Sequence, residues 1–420
     1  MIFILFYNMK IERFIIMKYD FTTVLDREGH DSLAYDAPVH GTMNIFPDYK
    51  LQEGFDVIPM WIADMSFAVP DFIIENVKKR LEFPVYGYFA YSKEYYQAII
   101  DWQKQQHQVN DLLPENIGYE NGVIGGVVNA LNILCSKGDK FLIHSPTYNG
   151  FSNVISPNGY EMVLSPLIKD NDGVWRMDYE DMERKIVENN LHVALLCSPH
   201  NPTGRVWEKE ELLKAIEIFE RHQVYVISDE IWSDLIFKGY HHTPTQNVND
   251  YAKNHTISFY APSKTFNLAG MIGSYHIVYN KWLKDRLDKE ESLTHYNSMN
   301  VLSMHALIGA YTKGNEWLGQ LKDILEENSK YAINYINEHF EGVFVSQTQG
   351  TYLIFLQCHD WCQKHHLSND ELYLKGLEVG VMWTNGKEYK DNYGMRMNLS
   401  LPLSRLKEAL DRLDKYVFNG

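Results

Sequence analysis

The sequence is poor in cysteine, with only Cys135, Cys197, Cys358 and Cys362 in 420 residues. That excludes a disulfide scaffold and suits a reducing compartment, so a cytoplasmic protein is expected. No run of eighteen apolar residues occurs, which excludes a membrane-spanning helix. Basic residues are in deficit, 39 Lys and Arg against 55 Asp and Glu, for a net charge of −16. A nucleic-acid-binding surface is therefore not expected. Internal repeats, low-complexity tracts and a Walker A motif are all missing. What is present is the composition of an ordinary folded chain, 45% hydrophobic and 22% charged, long enough for two domains.

The opening stretch "MIFILFYNMKIERFII" fits a secretory signal poorly. Its apolar run is short, no basic segment precedes it and no small-residue cleavage site follows. Met17 opens "MKYDFTTVLDREGHDSLAYD", which reads as a natural beginning. Residues 1–16 are thus read as an over-called start, with a short amphipathic arm as the alternative.

From about 120 to 290 apolar runs alternate with helical patterns. "KFLIH" (140–144), "HVALLC" (192–197), "VYVIS" (224–228), "TISFY" (256–260) and "IGSYHIVY" (272–279) read as buried strands. "EKEELLKAIEIFERHQ" (208–223) reads as a helix, with acids early and bases late as the helix dipole prefers. Continuous apolar strands alternating with helices predict an α/β protein whose mainly parallel sheet is flanked by helices. After about 295 the pattern changes to long helix (315–340), strand (351–357) and closing helix (404–418), predicting a smaller α+β domain. We expect an N-terminal segment, 17–60, packing with that small domain, a large domain at 61–295 and the small domain at 296–420.

Ligands of open parallel sheets bind beyond the carboxyl ends of the strands. Three consecutive predicted strand ends carry Asn201 ("CSPHNPTGRV"), Asp229 ("VYVISDEIW") and Lys264 ("SFYAPSKTF"). A helix start at Gly122, Val123 and Ile124 offers free backbone N–H groups to a phosphate. Tyr148, in "HSPTYNGF", offers an aromatic plate. Singly, each has a bland explanation: a solvated lysine, a helix N-cap, an Asn-Pro turn, a glycine-led packing helix, a half-buried tyrosine. Together they suit pyridoxal 5′-phosphate, which needs an amine for its aldehyde, a carboxylate for its ring nitrogen and a cradle for its phosphate. The segment "CHDWCQKHH" (358–366) holds two Cys and three His, but four ligands on one short segment rarely reach tetrahedral geometry. It is read as a strand end entering a helix, and no metal is expected.

"SPHNPTGRVW", "SDEIW" and "SKTFNLAGM", in that order, resemble the class I/II aminotransferase family of fold-type I pyridoxal-phosphate enzymes. "IPMWIADMSF" (58–67), "YGYF" (86–89) and "SKTFNLAG" (263–270) are similar to its cystathionine β-lyase branch, the MalY/PatB type. The resemblance runs from about Met17 to the C-terminus. It implies an aspartate aminotransferase-like fold and cleavage of carbon–sulfur bonds in L-cystathionine or cysteine S-conjugates to a thiol, pyruvate and ammonia. Amino-acid transamination is the alternative, and a cofactor-bound regulatory protein the second alternative. The resemblance further implies that Lys264 carries the cofactor and moves the Cα proton. Asp229 would pair with the ring nitrogen, Asn201 with the phenolic oxygen, and Tyr148 would stack on the ring. Gly122, Val123, Ile124 and Ser263 would hold the phosphate. Arg396, in "YGMRMNLSLP", would grip the substrate carboxylate beside Asn201. Tyr88, rather than Tyr86, would reach the site of a neighbouring subunit, making the active unit a homodimer. The sequence departs from the family pattern at Trp232, at Ser66 and in lacking an arginine between Lys264 and Lys281. Glu120, beside the expected phosphate site, is unexplained at this stage.

Overall fold

The computed structural model describes residues 18–41, 45–294 and 297–420. The arm at 1–16 lies outside them, as do His295 and Tyr296 of a stretch, "HYNSMN", that the sequence suggests for the substrate entrance.

Seven strands form the large sheet: β1 (Ile117–Glu120), β2 (Lys140–Ser145), β3 (Glu161–Pro166), β4 (Val193–Cys197), β5 (Tyr225–Asp229), β6 (Thr256–Tyr260) and β7 (Ser274–Ile277). Their order is β1-β7-β6-β5-β4-β2-β3. Strands β2 to β6 pair in parallel, while β7 runs antiparallel to both β1 and β6. The expected mainly parallel sheet is present. Its central strands, β4 to β6, are buried almost throughout because both faces are covered. Leu142, Ala194, Leu196 and Val226 pack on one face against Leu212, Ile216 and Phe219 of the helix Lys209–Arg221. Ile143, Val193, Leu195, Ile227 and Ile257 pack on the other against Val127 and Leu131 of the helix Val123–Leu134. Each such side chain contributes roughly 1.5–3 kcal/mol when fully buried.

A second sheet of four antiparallel strands, β8 (Phe344–Val345), β9 (Leu353–Gln357), β10 (Thr384–Asn385) and β11 (Gly394–Asn398), has the order β8-β9-β11-β10. Its core joins Ile354, Leu356, Met395 and Met397 to Leu406 and Leu410 of the closing helix, Leu403–Leu413. That helix ends in a π-helical turn, Asp414–Phe418. One long helix, Asn315–His339, bridges two cores: Leu318, Leu321 and Leu325 belong to the first, Ile333 and Ile336 to the second. The helix Val301–Lys313 packs in the first core, with Ile73 and Ile99. The N-terminal segment serves both. Phe21 lies against Phe67 and Trp317, and Ile58 pairs with Val381. Cys358 and Cys362 are buried in the second core, and His365 stacks on Trp361 at 4.3 Å.

Candidate active site

Strand β6 ends at Tyr260, and the single turn Pro262–Thr265 follows it. Proline suits the first helical position because its missing N–H would have no partner there. The turn aims Lys264 at the segment before the large sheet: Nζ donates to the Ala63 carbonyl at 2.8 Å. The Tyr352 hydroxyl donates to the same carbonyl, also at 2.8 Å. Loss of water around the ammonium, reinforced by Arg396, pulls the Lys264 pKa down to about 8, against the pull of Asp64 and Asp229. Trp232 forms a wall beside it, its ring 5.6 Å from Nζ and set edge-on to Tyr352.

Asp229 is the last residue of β5, one position earlier than the sequence pattern suggests, and is buried. Its Oδ1 accepts the Ile231 N–H at 3.1 Å. Burial pushes its pKa up to about 7, opposed by that N–H and by Lys264. Asn201, in the buried turn after β4, accepts through Oδ1 from Arg396 Nη1 at 3.4 Å, which leaves its amide nitrogen to donate elsewhere. Tyr148 precedes the short helix Asn149–Ile155. Its ring lies where a Cβ on Gly150 would come within 2.3 Å, so only glycine fits there.

Gly122 has φ +90° and precedes the helix Val123–Leu134. Left-handed backbone of this kind favours glycine, and a Cβ there would meet nothing within 4 Å. The first N–H groups of the helix have no intrahelical partner and carry the positive end of its dipole. Glu120 is fully buried, its Oε1 lies 2.8 Å from His276 Nδ1, and its Oε2 accepts from Asn297 Nδ2 at 2.8 Å. Asn297 Oδ1 in turn accepts the Asn121 N–H at 2.8 Å. The acid thus anchors the loop that enters Gly122.

Gly122, Val123, Ile124, Tyr148, Asn201, Asp229, Trp232, Ser263 and Lys264 line one cavity of about 360 Å³. A larger cavity of about 880 Å³ shares Ala63, Tyr148, Lys264 and Ala269 with it and contains Arg396. Arg396 sits on β11 between β9 and β10 and is buried. Its Nη2 donates to the Trp61 carbonyl, its guanidinium lies 4.8 Å from the Tyr389 ring, and its Nε has no partner among the described residues. Tyr88 is fully exposed and lines neither cavity. Tyr86 is held within the chain by donation to the Leu81 carbonyl at 2.8 Å.

Sequence reasoning missed Arg27 and Asp64, which form an ion pair at 2.5 Å in the larger cavity. Ser66, where the branch often carries an acid, accepts from Arg27 at 3.4 Å. "LDREGHD" carries no periodic or spacing signal that could have placed Arg27 there. Tyr352 and Tyr389 were likewise hidden among 28 tyrosines.

The donor set fits pyridoxal 5′-phosphate. One cavity holds a buried carboxylate with one oxygen free of protein donors, a lysine amine and an open helix start, while Asn201 keeps an amide nitrogen to give. A buried carboxylate whose pKa has risen is one that lacks a cation, and a protonated ring nitrogen supplies it.

A family model described as aminotransferase class I and II matches residues 56–413. The cystathionine β-lyase PatB of Bacillus subtilis is 32% identical over 85% of this chain and 92% of its own. The protein MalY of Escherichia coli is 31% identical over 93% of this chain and 97% of its own. Among solved structures, cystalysin from Treponema denticola, which contains pyridoxal 5′-phosphate, superposes with a TM-score of 0.86. It is 30% identical, over 95% of this chain and 99% of that one.

Proposed function

This chain belongs to the aminotransferase class I and II family, and we propose that it is a pyridoxal-phosphate-dependent carbon–sulfur β-lyase, cleaving L-cystathionine or related cysteine S-conjugates to a thiol, pyruvate and ammonia. The observation that carries the reading is the convergence of Lys264 and Asp229, from adjacent strand ends, on one cavity that opens beside Arg396. The similarity to PatB favours the lyase outcome over transamination.

The cofactor, when bound, supplies an electron-withdrawing ring that takes up the electron pair left at the substrate Cα. The chain supplies the rest. Arg396 takes the substrate carboxylate: its Nε is free and its planar fork is already oriented by Trp61 and Asn201. Lys264 takes the Cα proton. With a pKa of about 8, a fraction of it is neutral at pH 7, whereas an ordinary lysine is almost wholly charged. General-base help of this kind is worth roughly 10²–10⁴ in rate. Asp229 would hold negative charge near the ring nitrogen and keep that nitrogen protonated. Asn201 would donate from its amide nitrogen to the phenolic oxygen, and Tyr148 would stack on the ring. Val123 and Ile124 N–H groups, with Gly122 and Ser263, would hold the phosphate.

The active unit is a homodimer in this reading. Tyr88 stands fully exposed among Leu81, Phe83 and Val85, also exposed, and this apolar strip suits burial against a second copy that receives Tyr88 in its site. Four free thiols suit the cytoplasm. The test is pyruvate release from L-cystathionine without an added 2-oxo acid. Stoichiometric pyruvate with ammonia supports the lyase. Amino-acid turnover that demands an oxo-acid acceptor refutes it.

A further inference from the structure

Arg396, Lys264 and Arg27 all line the larger site cavity, and the segment 61–64, on the same wall, sets their order. Arg396 Nη2 donates to the Trp61 carbonyl, Lys264 Nζ to the Ala63 carbonyl, and Arg27 Nη2 to the Asp64 carboxylate. Lys264 thus stands between the two arginines along the segment. Asp64 is also close enough for its charge to act on the Lys264 ammonium. Three residue steps cover at most about 11 Å of backbone, so both arginines lie within the reach of one small molecule.

The lyase reading uses Arg396 and Lys264 but leaves the pair Arg27–Asp64 without a role. The two side chains are 17% and 23% exposed, so the pair is neither fully buried nor open to bulk water. Arg27 Nη1 donates to the Met65 carbonyl at 3.1 Å and the Ser66 hydroxyl at 3.4 Å. Arg27 Nε and Asp64 Oδ1 have no hydrogen-bond partner among the described residues. The pair therefore keeps one donor for a carboxylate and one acceptor for an ammonium. Asp26, Asp31 and Glu388 line the cavity as well, so acids outnumber lysine and arginine there. That balance disfavours a bare second anion and suits an end group that carries both charges. In an extended L-cystathionine the two carboxyl carbons are roughly 9 Å apart by ordinary bond lengths, which matches the span from Arg396 to Arg27.

We infer that Arg27 and Asp64 form a subsite for the leaving half of the substrate, Arg27 taking its carboxylate and Asp64 its ammonium. The enzyme then selects thioethers whose departing thiol is itself an amino acid over cysteines that carry a neutral alkyl group. This rests on the lyase reading for the identity of the substrate, and it assigns the specificity that reading leaves open between L-cystathionine and other S-conjugates.

The experiment is calorimetric titration of cofactor-loaded Lys264→Ala protein, which cannot turn over, with L-cystathionine, S-(3-carboxypropyl)-L-cysteine and S-butyl-L-cysteine. The three share a chain length and lose first the distal ammonium, then the distal carboxylate. Expected is the tightest binding for L-cystathionine, the weakest for S-butyl-L-cysteine and the carboxypropyl compound between them. The extremes should differ by at least about tenfold, as for hydrogen bonds to charged groups. Adding Arg27→Gln should collapse that ratio towards one. The ligand series needs no change at Arg27, so it carries the test if Arg27→Gln does not fold. Equal affinities across the series overturn the proposal. So does a loss in Arg27→Gln that is the same for all three ligands, which would make the ion pair a brace for residues 61–66. Pyruvate release from L-cystathionine by the unaltered enzyme is measured in parallel: its absence removes the lyase reading, while the binding series still decides the subsite.

Discussion

Asp229→Asn should make the cofactor-free protein more stable at alkaline pH while weakening its hold on the cofactor. Burial raises the Asp229 pKa from an ordinary 3.8 to about 7. Between those values the folded chain keeps a proton that the unfolded chain has released. The neutral acid's contribution to stability is therefore complete below about pH 4 and is lost as pH rises to about 7. Above that the wild type carries a buried charge with one N–H donor and a nearby lysine. Asparagine retains Oδ1 for the Ile231 N–H and carries no charge. A shift of about three pKa units corresponds to roughly 4 kcal/mol, an upper bound because relaxation and water penetration ease a buried charge. About 2 kcal/mol is a fair expectation, or a few degrees in melting temperature. The assay is thermal denaturation of cofactor-free wild type and variant from pH 4 to pH 9, followed by cofactor titration. The melting-temperature gap should be near zero at pH 4 and widen towards pH 8. Cofactor affinity should fall on the order of 100-fold, as for a truncated buried charge pair. A gap that does not change with pH, or a variant less stable than wild type at pH 8, refutes the assignment of Asp229 as a carboxylate awaiting a cation.

Two further outcomes test the substrate side and the assembly. Arg396→Lys replaces a buried planar fork by a point charge and should lower kcat/KM on L-cystathionine by on the order of 100-fold, about 3 kcal/mol, mostly through KM; an unchanged KM would place the carboxylate elsewhere. Mixing Tyr88→Ala with Lys264→Ala protomers, each inactive or nearly so alone, should restore part of the activity, because one hybrid site then has both residues. No recovery on subunit exchange, verified by mass, removes Tyr88 from the partner's site.

The lining of the smaller site cavity was largely legible in the sequence because its parts lie at strand ends. A buried apolar strand is a strong local signal, and the polar residue where it stops is marked by the contrast. Asn201, Asp229 and Lys264 were found this way, and the glycine-led helix start followed. The opposite wall was not legible. Arg27, Asp64, Tyr352 and Tyr389 sit in irregular segments or among many similar residues, and nothing in their spacing announces that three of them line a cavity with Lys264 and that Tyr352 shares the Ala63 carbonyl with it.

The sequence alone determined the class of fold and which polar residues stand at the strand ends, since both follow from short-range patterns: apolar runs, their alternation with helices, and polar residues at fixed offsets. Only the tertiary structure decided that Arg396 lies on a central strand of the second sheet within reach of Asn201, and that Lys264 and Tyr352 share the Ala63 carbonyl. It also turned Glu120 from an anomaly beside the expected phosphate site into the anchor of the loop that enters Gly122. These contacts join residues from 176 to 289 positions apart. Such pairings depend on how two cores pack across one long helix, and desolvation, which sets the pKa of Asp229 and Lys264, exists only once that packing is complete.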